Sequence, residues 1–496
     1  MARLVTHLKA TPTMKDKPAK VTLPAIWKGK LKALVVLLFV FAGVLQYQSQ
    51  LQRLPLETLS NLVSVIVIFF LGYMILSDPR HVWSVPTTYF IVFCLFHFGA
   101  TLSFGLGLSI PQDIEKGFKY WFYAPYTNLA LFLGLVGFLA CVGGVLFATV
   151  LNDAFLSTMA ESQPSKKTRD VYLAQVLQTI GFLLLLISIS AWLINVVNSG
   201  GYSLLVGSYN DYLDKAESSV VSYLLLGIAF GLPFLVIGPK SKLLTLGLLI
   251  FGIWALFAVP LGLRGEVLFP FCAAMALVAK KMILPSLKQT LILAVCLLTL
   301  ISAVRQVRQY GLSNLANADI DTNPVGALYE LGASLRPVSE VVKWQAHGEG
   351  FIYGDSYWAP FERLFARITL DPTRVSDQND FRIMNVLIQK RVGPIGFSPV
   401  AEAYVNFDLL GVIIIMFLTG LLLSRLDSWA MTPMREAILA IIFVELLIQV
   451  RNDFVVIPFQ TLLGLSIVYA ALLLSKVLQK RTLPTLQVTK LEFHQP

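Results

Sequence analysis

The chain has 496 residues, a formal net charge of +10, 56% hydrophobic residues and only 14% charged ones. Soluble chains carry roughly 25% charged residues, so a soluble multidomain enzyme is excluded, and the hydrophobicity is far too high for a disordered chain. The 12% aromatic content and 33 glycines suit an all-α polytopic integral membrane protein.

The first thirty residues are basic and polar, with no apolar core ending at a small-residue site, so no cleavable signal peptide is expected. A membrane span needs about 20 mostly apolar residues. Twelve stretches qualify, at about 32–48, 58–77, 86–108, 126–150, 173–197, 219–238, 243–261, 265–279, 286–304, 400–424, 434–450 and 455–477. The eighth and eleventh are short and are expected to be tilted, buried or broken. A tight turn holding Arg264 joins the seventh to the eighth. Cys94, Cys141, Cys272 and Cys296 lie far apart in apolar runs and read as packed or lipid-facing thiols, not as a disulfide framework or a metal site. His97, between Phe96 and Phe98 in the third span, reads as a packed or hydrogen-bonded core residue.

Lys and Arg in alternate loops set the orientation. The N-terminal tail, the loops after even-numbered spans and the C-terminal tail hold 23 of the 39 basic residues, which places both termini in the cytoplasm. That side has 17 Lys and 6 Arg; the other has 5 Lys and 11 Arg. Lysine is a topology signal that also attracts anionic lipid. Arginine's planar fork grips phosphate or carboxylate through two hydrogen bonds. The whole chain, 1–496, reads as one membrane domain, with residues 305–398 as a large outer loop that carries ten basic and ten acidic residues.

A 94-residue loop is too long to be idle in a compact protein. Asn323-Pro324 reads as a helix start. Val325, Leu328, Leu331, Leu335, Val338 and Val342 continue with a helical period, and Pro337 predicts a break near Arg336. Arg336 and Glu340 are spaced for a helix ion pair. The aromatic run Phe351–Trp358, with Tyr353, Asp355, Tyr357 and Trp358, can stack on sugars or anchor a helix at the membrane interface. Phe361 to Phe365 reads as an interfacial amphipathic turn. Ser398-Pro399 is a second helix start, and Glu402, Tyr404 and Asn406 follow in the first turns. Polar groups entering a membrane helix are costly without partners. Glu402 also complements the positive N-terminus of that helix.

At this point the chain resembles the Wzy-type oligosaccharide repeat-unit polymerases, the O-antigen polymerase family. The resemblance rests on Gly396-Phe397-Ser398, Ala401-Glu402-Ala403-Tyr404, Asn406-Phe407 and Gly411, with Leu263-Arg264-Gly265 in mid-chain. The family pattern often has Gly where this chain has Asp408. The resemblance implies a fold like that of the C-type membrane glycosyltransferases, in the bacterial inner membrane. It also implies a metal-independent polymerase without cofactor. Such an enzyme moves a growing glycan from an undecaprenyl-pyrophosphate carrier onto the next lipid-linked repeat unit at the outer face. Its partners are those lipid-linked glycans, membrane lipid and a chain-length regulator, with no nucleic acid.

Such chemistry needs cations for the leaving pyrophosphate. Arg264, Arg305, Arg308, Arg336 and Arg451 all fall at the outer edge. It needs a base for the attacking hydroxyl, for which Glu402 and Glu340 lead and Asp355 and His347 follow. Arg264 is counted with the catalytic residues as well. Tyr353, Asp355, Tyr357, Trp358, Tyr404 and Asn406 are the candidate glycan contacts. No His or Cys cluster has metal-ligand spacing, and Asp319-Ile-Asp321 is too common a tripeptide to weigh. No Gly-rich phosphate loop favours ATP-driven transport. The rivals are an O-antigen ligase, for which His347 is the loop histidine, and a lipid-linked oligosaccharide flippase, which should show two similar halves.

Overall fold

The computed structural model describes residues 25–156, 167–205, 212, 215, 219–282, 285–310, 322–370, 375–429 and 431–491. These form helices α1 (Ala25–Gln46), α2 (Gln48–Arg53), α3 (Leu56–Ser77), α4 (Val85–Gly105), α5 (Gln112–Phe122), α6 (Thr127–Leu156), α7 (Lys167–Ser199), α8 (Tyr202–Leu205), α9 (Ser219–Leu235) and α10 (Lys242–Ala258). Then follow α11 (Arg264–Ala279), α12 (Leu287–Tyr310), α13 (Pro324–Leu331), α14 (Arg336–Ala346), α15 (Asp355–Ile368), α16 (Met384–Arg391), α17 (Pro399–Ser428), α18 (Pro433–Gln449) and α19 (Ile457–Leu491). No strand occurs among the described residues. Among the described residues eight helices, α1, α3, α4, α6, α7, α12, α17 and α19, are long and apolar enough to cross a membrane. The other expected spans fall on the shorter α9, α10, α11 and α18.

α4 and α6 form the centre of the bundle and are almost wholly buried. α6 packs chiefly on α17, and their backbones touch at Gly144 and Gly420. A Cβ on Gly144 would overlap the Phe417 carbonyl, and one on Gly420 the Cys141 carbonyl. Small residues permit such close helix contact in a membrane, where dispersion rather than water exclusion drives association. Cys94, Cys141 and Cys272 are buried and Cys296 is exposed, as packed or lipid-facing thiols should be. His97 is buried, stacked on Phe93 and hydrogen-bonded to Ser398 Oγ at 3.0 Å.

Polar side chains tie both ends of the bundle. At one end Arg80 bridges Asp78 and Asp427, each at 2.6 Å, while Lys281 pairs with Glu436 and Lys280 donates to the Leu426 carbonyl. The long loop lies at the other end, and its first part is core rather than cover. Leu335, Val338 and Val341 are fully buried. A Cβ on Gly332 would overlap the Ala100 backbone nitrogen, and one on Gly99 would sit 2.5 Å from the Leu328 carbonyl. Asn323 caps α13 by accepting from the Val325 N–H at 3.0 Å. A 3-10 turn, Gly332–Leu335, then separates α13 from α14, and Pro337 enters the first turn of α14. The predicted helix start and break are therefore both present.

α17 is two helices joined at a kink. Phe407 (φ −140°, ψ 24°) and Asp408 (φ 56°, ψ −156°) leave helical geometry. Gly411 sits in the bend, where a Cβ would lie 2.5 Å from the Ala403 carbonyl.

Candidate active site

Ser398 starts α17 as its sequence predicts, accepting from the Ala401 N–H at 3.2 Å. One turn on, Glu402 is completely buried. Its Oε1 accepts from Ser356 Oγ at 2.8 Å and its Oε2 from the Phe454 N–H at 2.8 Å. Asn406 Oδ1 accepts from the Gly354 N–H at 2.8 Å, and its Nδ2 donates to Ser356 Oγ at 2.8 Å and to the Glu402 carbonyl at 2.7 Å. Main-chain bonds from Ile352 to Val405 and from Tyr353 to Asn406 complete the joint. Glu402 and Asn406, which looked costly in a membrane helix, are thus satisfied. They fasten the start of α15 and the α18–α19 turn to the first half of α17.

The same turn holds Asp453, which is buried and accepts from the Asn385 N–H at 2.8 Å. Burial pushes its carboxyl up from the ordinary range. Arg451 is exposed, and its carbonyl accepts from the Phe397 N–H at 3.0 Å. Gly396 (φ 74°) makes this crossing possible, since a Cβ there would lie 2.7 Å from that carbonyl. α15 and α16 are linked by buried Asp380, which accepts from Arg363 at 2.8 Å and from Arg382 at 3.0 Å. Burial would raise the Asp380 carboxyl, but the hydrogen bonds from Arg382 and Arg363 outweigh it and hold the carboxyl below its usual range.

The arginines fall into two groups. Arg264 begins α11 and is mostly buried; its Nη1 meets Glu330 of α13 at 3.0 Å, while its buried Nε and Nη2 have no hydrogen-bond partner. Arg305, near the end of α12, is buried against Gly326 of α13. Arg336 opens α14, with its Nε 3.6 Å from Glu340, and Lys343 lies 3.9 Å from the same carboxylate. Arg451 stands apart from these, on the turn that Glu402 anchors. The side chain of Arg308, and Asp319 and Asp321, lie outside the described residues.

Among the candidate glycan contacts, Tyr353, on the turn before α15 with a positive φ of 44°, and Asp355, the first residue of that helix, are exposed. Tyr357 stacks on Phe407 at the α17 kink, Tyr404 is buried edge-on to Phe351, and Trp358 is exposed. Asp355 also lines a cavity of about 190 Å³ with Trp344, Glu349, Ile352, Phe381 and Arg382. His347 is exposed, and its Nδ1 donates to the Lys343 carbonyl at 2.7 Å. Sequence reasoning missed Ser356, Glu330 and the burial of Asp453. Their only sequence signal is a polar residue beside apolar ones, which loops show everywhere.

A bundle of long apolar helices with a buried polar joint at one end defines a polytopic α-helical membrane protein. The family model for the O-antigen polysaccharide polymerase Wzy matches residues 31–482, so the chain belongs to that family and polymerises repeat units into polysaccharide. Protein CapE of Staphylococcus aureus is 25% identical over 473 residues, which cover 91% of this chain and 99% of CapE. No solved structure matches the chain.

Proposed function

We propose that the chain is a metal-independent glycosyltransferase of C-type build, spanning the bacterial inner membrane twelve times with both termini in the cytoplasm. It transfers a growing glycan from undecaprenyl pyrophosphate to the nonreducing end of the next lipid-linked repeat unit at the outer face. A chain-length regulator protein is its expected partner. The observation that carries this reading is Arg264. A guanidinium at a helix N-terminus, mostly buried, with two buried N–H groups unpartnered, is a receptor for an anion. When the bond between the anomeric carbon and the pyrophosphate oxygen breaks, negative charge grows on that oxygen. A fixed cation stabilises it without a metal.

Arg305, Arg308 and Arg336 are assigned to the same pyrophosphate, and Arg451 to the second carrier. The acceptor hydroxyl must lose its proton. Glu340, beside Arg336 and Lys343, is assigned as the base. Glu402, with both oxygens occupied and no exposure, is a positioning residue that sets α15 and the Arg451 turn. Tyr353 and Asp355 contact glycan beside the cavity at Trp344 and Phe381. Tyr357, Tyr404 and Asn406 support that turn from beneath.

Purified protein in vesicles, given lipid-linked repeat units of the source strain and a chelator, should produce a glycan ladder. A ladder that needs added divalent cation would overturn metal independence. Transfer only to a lipid A core acceptor would make the protein a ligase.

A further inference from the structure

α15 presents two unlike faces. Ser356, Ala359, Pro360 and Arg363 are buried against the protein. On the other side Trp358, Phe361, Phe365 and Ile368 recur at helical spacing, and Phe365 and Ile368 are each 69% exposed. Leu370, just past the helix, is 86% exposed. Scattered exposed apolar residues are ordinary, but a contiguous stripe marks an interaction surface.

The position of the stripe identifies what covers it. Tyr357 stacks on Phe407, the residue above the exposed stripe of α17 at Leu410, Ile414 and Leu418. Phe361 lies 6.4 Å from Phe454, and Arg367 sits 5.3 Å over Phe459, at the head of the exposed stripe of α19 at Leu462, Leu463 and Leu465. Both α17 and α19 are long and apolar enough to cross a membrane. The exposed face of α15 therefore continues two lipid-facing helix surfaces at their loop end. Polar pairs flank its other side, with Glu362 on Arg382 and Arg363 on Asp380.

The geometry points to α15 as an interfacial helix lying in the phospholipid leaflet at this end of the bundle, with Trp358, Phe361, Phe365 and Ile368 among the acyl chains. A helix with one apolar aromatic face and one polar, charged face takes that position. This assigns Trp358 to lipid and not to glycan. It also has a consequence for the site. Ser356 and Gly354, at the start of α15, bond to Glu402 and Asn406, so the depth of α15 in the leaflet sets the height of the glycan turn above the membrane.

The inference does not depend on the chemistry proposed above, and its test reads depth and not turnover. A nitroxide would be placed at Phe365→Cys in the full chain carrying Cys296→Ser, in phosphatidylethanolamine–phosphatidylglycerol vesicles. Leu463→Cys serves as the lipid reference and Glu349→Cys as the water reference. Collision with oxygen should exceed collision with a water-soluble nickel chelate at Phe365, as it does at Leu463. Trp358→Cys should behave alike. A label at Phe365 that meets the chelate as freely as one at Glu349 would overturn the inference. So would a label shielded from both reagents and broadened by a neighbouring spin, which would mean that a second copy covers the face.

Discussion

At Asp408 the chain holds an L-residue in backbone geometry that favours glycine, at φ 56° and ψ −156°. Such strain costs on the order of 1–3 kcal/mol. Asp408→Gly is expected to raise the thermal midpoint in detergent, with a gain of about 1 kcal/mol left after the greater freedom of glycine in the unfolded chain. A lowered midpoint would mean that the Asp408 side chain contributes more than its backbone costs. Glu402 allows a sharper separation of roles. Glu402→Ala leaves the Phe454 N–H and the Ser356 hydroxyl without their acceptor, at about 1–3 kcal/mol each. Glu402→Gln keeps an acceptor oxygen. A positioning residue predicts that Gln retains much more polymerisation than Ala, with the pH profile of the rate unshifted; a base predicts that both are equally dead. Asp380 carries a pH dependence of known sign. Its carboxyl is held low, so its contribution to order in α15 and α16 is complete above the ordinary carboxylate pKa of about 4. It is lost as pH falls through the lower folded value. The protection of amides across residues 375–391, taken relative to their intrinsic exchange rates at each pH, should fall on acidification in the wild type and lose most of that fall in Asp380→Asn.

The helices were legible in the sequence where one period governs them. The apolar runs lie on helices, and the starts at Asn323 and Ser398 and the break before Pro337 follow from cap and proline chemistry. What joins these elements was not legible. Nothing in the run from Gly99 to Ala100 says that Gly332, more than two hundred residues on, lies against its backbone. The kink at Phe407–Asp408 was equally hidden, because no proline marks it and the apolar pattern runs through. In the site, the pairing of Glu402 with Ser356, and of Arg264 with Glu330, depends on tertiary approach between distant helices. Periodicity does not encode such approaches. The Gly332 contact makes its own prediction. Gly332→Val should push α13 and the 3-10 turn off α4 and lower stability by an overpacking cost of about 1–3 kcal/mol or more. Protease cleavage within residues 324–346 should become faster; unchanged protection would show that the close approach is dispensable.

The molecule as a whole separates two jobs by end. The Arg80–Asp427 and Lys281–Glu436 pairs tie loops to α17 and α18 at one end. At the other end α13 and the 3-10 turn insert against α4, and Glu402 and Asn406 tie α15 and the Arg451 turn to α17. That rigid end leaves Arg264 with donor capacity that Glu330 does not take up. We propose that this capacity serves the pyrophosphate leaving group, and the test is the initial rate of ladder formation in chelator with Arg264→Ala beside the wild type. The expected fall is about 10²-fold or more per folded protein, partly recovered in Arg264→Lys, and it exceeds the loss of folded protein that breaking the Arg264–Glu330 pair brings to Arg264→Ala. Arg264→Ala polymerising at the wild-type rate would contradict it.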